Sequence, residues 1–540
     1  MKRTVVAALL STALLASVPA IASADYAGVG AASQTVLGRS VQLVYVNLND
    51  TNLEVKAVSA EGKVGETESL AALAQRNGAL AAINGGYFNA YSDGQPLTVV
   101  RTNGKFVHNG SFGAVFGINT LNEPYFGRIY PTIEGGSDGS WSWPNTWSAW
   151  GINHYYDNPS AISILTPDAK KRALPASGKT VVVQNGVVSK IVNGDAAIPA
   201  NGYLVHFGAN VASSASVFDV GEKADYKITY RNSGGQPVNL DALGNMMGGG
   251  PLLVSGGAVV VDPIAEKFTD PKQTSRTSRS IRTFVGWRSD NRLVMGTVPN
   301  VSVYELADVA KALGMVHAVG MDSGATAGLY ANGSYLTTPG REVPNAIIVK
   351  KRDASSVNAS GYVDVYNDHY AYDAIARLKQ KGVMNGEVVG SARFFKPSQT
   401  MTRAELAAVL TNAFQLPKDG KHTFRDAAGT WYDSFAGAVV NAGYMAGYSS
   451  TDFGGKDPVT EEQIVAILAR VLAKSGVKET AKDRWLQDPP SSWLEKDVHL
   501  AIKQGLIVDA FGDKAFVPKE QAKRAGVASL LDVAMKKVGK

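Results

Sequence analysis

Apolar and polar positions alternate from about Val36 to Ala60, in the runs VQLVYVNLND and LEVKAVSA, and predict two strands joined as a hairpin. Ser69 to Asn77 predicts a short helix that turns Leu70 and Leu73 inward. Ala81 to Asn84 reads as an apolar strand running into Gly85-Gly86-Tyr87-Phe88. Gln95 to His108 predicts a hairpin closed at Asn103-Gly104, and Val181 to Ile198 alternates around Asn185-Gly186. Further apolar runs at Gly202–Gly208, Leu252–Val254, Phe284–Trp287, Met315–Val319 and Ala346–Val349 predict strands. Ser302 to Leu313 places Leu306, Val309, Ala310 and Leu313 at helical spacing, with charged residues between them. Many strands with few helices predict an α+β domain, a mixed β-sheet with helices, over residues 25–352.

The pattern changes after a polar linker at 353–360. Asp364, Asp426 and Asp488 are 62 residues apart, and each precedes a helical segment that ends in a glycine: Gly382, Gly443 and Gly505. An aromatic then opens a short loop (Phe395, Phe453, Phe516) before an Ala/Leu-rich helix. Three such units can bury a shared core that none could bury alone. The expectation is an all-α, three-repeat bundle over 361–420, 421–480 and 481–540.

At 540 residues the chain needs several cores, and 45% hydrophobic with 19% charged residues is ordinary for soluble globular protein. A net charge of +6 spread over this length makes no case for nucleic acid. There are no cysteines, hence no disulfides and no thiolate metal sites. Lys2-Arg3, the apolar run Val5 to Val18 and Ala22-Ser23-Ala24 predict a signal peptide over 1–24 and export. No later stretch is apolar for long enough to span a membrane.

The candidate chemistry gathers at Met315 to Gly324, where a buried strand runs into Asp322-Ser323-Gly324. Strand ends are where such folds display reactive side chains on a rigid support; Asp-Ser-Gly is also ordinary turn chemistry, so Asp322 reads either as a site carboxylate or as a turn cap. Gly85-Gly86 and Gly248-Gly249-Gly250-Pro251 let backbone approach a ligand. Lys272 to Arg282 is basic; Arg282 enters a strand as a candidate phosphate or carboxylate fork, whereas Arg276 and Arg279 read as a solvated loop. Trp141, Trp143, Trp147 and Trp150 suggest either carbohydrate contact or core, with core favoured, and His154 reads as a structural histidine. There is no HExxH or GxSxG motif, and neither a metal nor a cofactor is expected.

Two resemblances follow from these residues. Phe395-Lys396-Pro397 with Met401-Thr402-Arg403-Ala404-Glu405 resembles the TRAE signature of S-layer homology modules; Thr460-Glu461-Glu462-Gln463 and Lys523-Arg524-Ala525-Gly526 are its altered counterparts. This implies a pseudo-threefold helical bundle binding a pyruvylated secondary wall polysaccharide, with Thr402, Arg403, Glu405 and Arg524 as wall-polymer contacts. Residues 36–350 resemble the phosphodiester glycosidase family, through Asn84-Gly85-Gly86-Tyr87-Phe88, Gly94, Pro96, Asn103-Gly104, Asn153, Ile198 to Tyr203, Gly249-Gly250-Pro251, Arg282-Thr283 and Asp322. Where that family has Asp-Gly-Gly-Gly-Ser, this chain has Asp322-Ser323-Gly324-Ala325-Thr326.

The resemblance implies a secreted, wall-anchored hydrolase of sugar-1-phosphodiesters. Asp322 would act near the anomeric carbon and Arg282 on phosphate, with Asn84, Gly85, Gly86, Tyr87, Asn153, Gly250, Ser323, Gly324 and Asn345 binding substrate. Which carboxylate acts as base stays open. The competing reading is a non-catalytic glycan-binding or structural surface-layer protein.

Overall fold

The computed structural model describes residues 28–540, apart from 51, 111–112, 121, 239, 241–242, 353–359, 366–368, 390–391, 480–488 and 512–515. The expected signal peptide, nearly all of the linker and Asp488 therefore lie outside the described residues.

Two antiparallel sheets pack face to face. The first has seven strands, in the order Val29–Val36, Arg39–Asn47, Arg292–Val301, Ser280–Arg288, Met315–Gly320, Leu252–Ser255 and Ala258–Val259. The second has five: Ser334–Thr337, Leu329–Ala331, Ala79–Asn84, Asn345–Lys351 and Leu53–Ser59. Val44, Val46, Val285, Met295 and Val319 of the first meet Val55, Ala81, Ile83, Leu329 and Ile347 of the second in one core.

Each sheet carries a helix on its outer face. Val303–Ala312 lays Leu306, Val309 and Ala310 on Leu43, Phe284 and Val294. Leu70–Arg76 lays Leu70 and Leu73 on Ala82, Ala346 and Ile348. Because alternate residues of these strands face different cores and both are apolar, the central strands read as continuous apolar runs. Both helices start where the sequence places them. Ser69 accepts from the Ala72 N–H, and Ser302 with Glu305 forms a reciprocal capping box.

A third five-stranded sheet, built around Asn245–Gly248, contributes Val100, Phe116 and Met247 to the shared core. Its opposite face, with Phe106, Val115 and Met246, packs on strands from the 130–231 region. The expected turns at Asn103-Gly104 and Asn185-Gly186 both have positive φ at both residues, the geometry that joins adjacent strands with matching twist.

The expected hairpin over Val36–Ala60 does not form. Arg39–Asn47 pairs with Val29–Val36 and Arg292–Val301, whereas Leu53–Ser59 crosses to the other sheet and pairs with Asn345–Lys351. Alternation reports which faces are buried and not which partner buries them.

In the C-terminal region the helices share one separate core, including Leu378, Leu410, Phe453, Leu468, Leu506 and Leu531. The segments before the three long helices are joined in a closed ring of backbone hydrogen bonds. Met401 N–H donates to the Ala522 carbonyl (3.0 Å), Ala522 N–H to Val459 (2.8 Å) and Val459 N–H to Met401 (3.0 Å). The spaced aspartates brace the loops that follow them: Asp364 accepts from Phe395 and Lys396 N–H, and Asp426 from Phe453 and Gly454 N–H. The region is not purely helical, since Glu387–Val389 pairs with Ala392–Phe394.

Candidate active site

The centre of each main sheet ends at the same place. Met315–Gly320 runs out of the first sheet into Asp322, and Ala79–Asn84 runs out of the second into Gly85-Gly86. The two exits are laced together. Asp322 N–H donates to the Gly85 carbonyl at 3.0 Å, and the Asn84 amide donates to the Asp322 carbonyl at 2.7 Å. Asn84 Oδ1 accepts from Gly328 N–H, and Thr283 Oγ1 donates to the Asp322 carbonyl at 2.6 Å.

From the neighbouring strand, fully buried Asn345 accepts from Gly86 N–H through Oδ1 at 2.9 Å. A Cβ on Gly85 would overlap that side chain, and one on Gly86 would overlap Thr98 and the Gly248 carbonyl. The paired glycines are therefore required by close packing of backbone on side chains. Gly250, at positive φ, donates its N–H to the Gly320 carbonyl and accepts the Tyr87 hydroxyl at 3.1 Å. Asn84, Gly85, Gly86, Gly250 and Asn345 thus form the frame beneath Asp322.

Above the frame lies a cleft of about 680 Å³ whose lining includes Tyr87, Asp322, Ser323, Gly324, Thr326 and Arg341. Asp322 keeps some surface open to the cleft but is otherwise enclosed. Burial pushes its carboxyl up to about 7, against the opposing pull of the Ser323 N–H (2.8 Å), the Thr326 hydroxyl and the positive charge of Arg341. The same burial, together with Asp322, raises the Tyr87 phenol.

Arg282 does not line this cleft. It is 1% exposed, with Nε on the Val301 carbonyl (3.1 Å), Nη1 on Gln273 Oε1 (2.7 Å) and Nη2 on the Lys272 and Ser278 carbonyls (2.6 and 3.3 Å). Its planar fork staples residues 272–278, part of the cleft wall, onto the first sheet. The cations that do line the cleft are Lys267, Lys272, Arg279 and Arg341. Arg279 is held by both oxygens of Glu305, whereas Arg341 meets the ring and hydroxyl of Tyr91. Sequence reading passed over Arg341 because a lone arginine before a strand carries no motif.

Asn153 stands apart. Its side chain bonds the Val107 carbonyl and Thr166 from a buried, left-handed position, a structural staple. Next to it, His108 Nδ1 faces the Thr98 carbonyl (2.8 Å) and must carry hydrogen there, so Nε2 accepts from His154 Nδ1 (3.1 Å). Burial holds both rings neutral, His108 down to about 3. Of the tryptophans, Trp147 is core while Trp143 and Trp150 are exposed.

In the C-terminal region Thr402 and Glu405 cap their helix reciprocally. Arg403 donates to the Ala446 and Phe453 carbonyls and stacks on Tyr448 at 4.5 Å. Arg524 makes the equivalent contacts with Asn385, Phe395 and the Phe395 ring. At the corresponding position of the second unit, Glu461 instead accepts from Val517 N–H, and burial pushes its carboxyl up to about 7.

With this geometry in place, the chain can be set beside known proteins. Residues 177–350 match the phosphodiester glycosidase family profile, and residues 361–407 and 423–465 match the S-layer homology domain profile. An S-layer protein of Bacillus thuringiensis subsp. finitimus is 28% identical over 190 residues, 34% of this chain and 23% of that protein. The surface-layer 125 kDa protein of Lysinibacillus sphaericus is 30% identical over 141 residues, 26% of this chain and 12% of that protein. The chain thus spans under a quarter of these relatives. A hypothetical protein from Synechocystis superposes with a TM-score of 0.53 at 24% identity, covering 60% of this chain and 62% of that one, a likeness of fold. The chain joins a phosphodiester-glycosidase-like domain to S-layer homology repeats, and it is a secreted protein attached at the cell wall. Strands from residues 29–59 complete both main sheets, so the folded unit extends well before residue 177.

Proposed function

We propose that the N-terminal domain hydrolyses the bond between a sugar C1 and a phosphodiester oxygen. The observation that carries this reading is the Asp322 carboxyl, set at the cleft floor with its pKa near 7 and Arg341 beside it. A base titrating near working pH is the best compromise between being ionised and being basic. Asp322 takes a proton from water as the water oxygen bonds to C1. The C1–O bond breaks with its electron pair passing to the phosphate, which leaves as a monoester. That leaving group is already acidic and needs charge neutralisation more than a proton, which Arg341 supplies. Arg282 positions the wall carrying Lys272 and Gln273, in place of the direct phosphate contact expected from sequence.

Hydrolysis in ¹⁸O-labelled water tests the reaction. Label in the released sugar is expected; label in the phosphate would make the protein a phosphodiesterase. No turnover of any sugar-phosphate diester by the folded protein would leave a non-catalytic glycan-binding domain.

For the repeats, the same proposal assigns binding of an acidic, pyruvylated wall polysaccharide. Arg403 of the first unit, Tyr448 and Arg470 of the second and Trp493 of the third line a cavity of about 180 Å³, suited to a sugar ring with a carboxylate. Retention of the protein on walls that carry this polymer, and its loss from walls stripped of it, is the expected result.

A further inference from the structure

The cleft encloses about 680 Å³, and besides Asp322 and Arg341 its lining includes Tyr91 and Lys272. Tyr91 is 91% exposed, yet it is not left to swing freely. Its hydroxyl accepts from Arg341 Nη2 at 2.8 Å and the guanidinium lies over its ring, 4.7 Å from the centroid. One ring face is therefore taken by Arg341 and the other is presented at the cleft rim. The positive charge of Arg341 favours the ionised form of Asp322, and its hydrogen bond and charge lower the Tyr91 phenol, with a smaller contribution from Lys272. Asp322, Arg341, Tyr91 and Lys272 thus line one cleft, with Arg341 in contact with Tyr91. Among the described residues the Lys272 ammonium makes no hydrogen bond or ion pair, unlike Arg279, which Glu305 neutralises.

From this arrangement we propose that Tyr91 and Lys272 form a subsite for the far side of the diester, with Tyr91 stacking on the second sugar ring and Lys272 meeting a further negative charge on it. The proposal rests on the assignment of Asp322 and Arg341 above and narrows the substrate. The preferred diester is a unit of a repeatedly anionic glycan and not an isolated sugar–phosphate–alkyl ester. A pyranose offers an apolar C–H face to an aromatic ring, and a second cation lining the same cleft favours a ring that carries a further charge.

The test compares two synthetic substrates with the full-length protein: a glycosyl-1-phosphate methyl ester, and a glycosyl-1-phosphate joined to a hexose that bears a terminal phosphate. The readout is the ratio of kcat/KM between them, which cancels any general loss of activity. Wild type should favour the second compound. Tyr91→Ala should lower the ratio by about tenfold, the upper end of what one aromatic contact supplies. Tyr91→Phe should largely keep it. Lys272→Gln should lower it by about fivefold, the worth of one exposed ion pair. Unchanged ratios in both Tyr91→Ala and Lys272→Gln would overturn the subsite while leaving the hydrolase reading intact. If neither compound is turned over, the hydrolase reading fails, and calorimetric binding of the same two compounds decides the subsite. Tighter binding of the phosphorylated compound that is lost in both variants would sustain it; equal affinities would end it.

Discussion

The Asn84 side-chain amide donates to the Asp322 backbone carbonyl at 2.7 Å across 238 residues of sequence, so one buried side chain joins the two sheets under the candidate carboxylate. Its Oδ1 simultaneously holds Gly328 N–H. Replacement by alanine leaves the buried Gly328 N–H unpaired and takes one of two donors from the Asp322 carbonyl, which keeps the Thr283 hydroxyl, at a cost of about 1–3 kcal/mol. Asn84→Ala should lower the denaturant midpoint accordingly and reduce turnover through the displaced Asp322, both measurable on the same preparation.

The raised Asp322 pKa makes stability depend on pH with a definite sign. The folded state binds this proton more tightly than the unfolded chain, whose carboxyl titrates near 3.8. The group is neutral in both states at low pH. Its burden on folding grows as pH rises from about 4 and levels off above about 7. Asp322→Asn removes that burden, so its melting temperature relative to wild type should climb between pH 4 and pH 8. Its activity should meanwhile fall by at least about 100-fold, and wild-type kcat should rise to a plateau through pH 7. A flat difference in melting temperature across this range would contradict the buried setting of Asp322.

Gly86 and Gly324 should respond differently to alanine. A methyl on Gly86 meets Thr98 and the Gly248 carbonyl, a backbone obstacle that must move; a methyl on Gly324 meets nothing within 4 Å and suffers only from its φ of +73°. Gly86→Ala should cost roughly 3 kcal/mol or prevent folding, against roughly 1 kcal/mol for Gly324→Ala. Urea unfolding of the two variants gives the comparison.

Arg282→Lys should behave as a stability and cleft-wall variant. An ammonium cannot reach Val301, Gln273, Lys272 and Ser278 together from one plane, so about 2–3 kcal/mol should be lost. The KM should rise more than kcat falls. A selective collapse of kcat with unchanged stability would return Arg282 to direct contact with the reacting phosphate.

The three units of the C-terminal region should be unequal. Arg403→Ala opens the contact between the first two units and should weaken wall retention more than Glu461→Ala, which removes a carboxylate from a position where an anionic polymer has no use for it. Glu461→Gln keeps an acceptor for Val517 N–H and removes a charge that burial disfavours. Since the Glu461 carboxyl is raised to about 7, its burden grows with pH, and the stabilisation by Gln should be larger at pH 8 than at pH 5. Melting curves at the two pH values and pull-down on walls cover both statements.

Features that depend on neighbours along the chain are legible in the sequence. Hydrophobic period placed the helices at Leu70–Arg76 and Val303–Ala312, and Asn-Gly pairs placed two turns. The 62-residue spacing of Asp364 and Asp426 exposed the repeats, because each aspartate caps a loop inside its own unit. Features that depend on a distant partner come from packing alone. It sent Leu53–Ser59 to the second sheet, turned Arg282 into the protein and brought Arg341 to the cleft. An arginine reads the same in sequence whether its fork closes on backbone carbonyls or faces solvent. Only the packing of two sheets, whose central strands end at Asn84 and Gly320, settles which donors remain for a substrate.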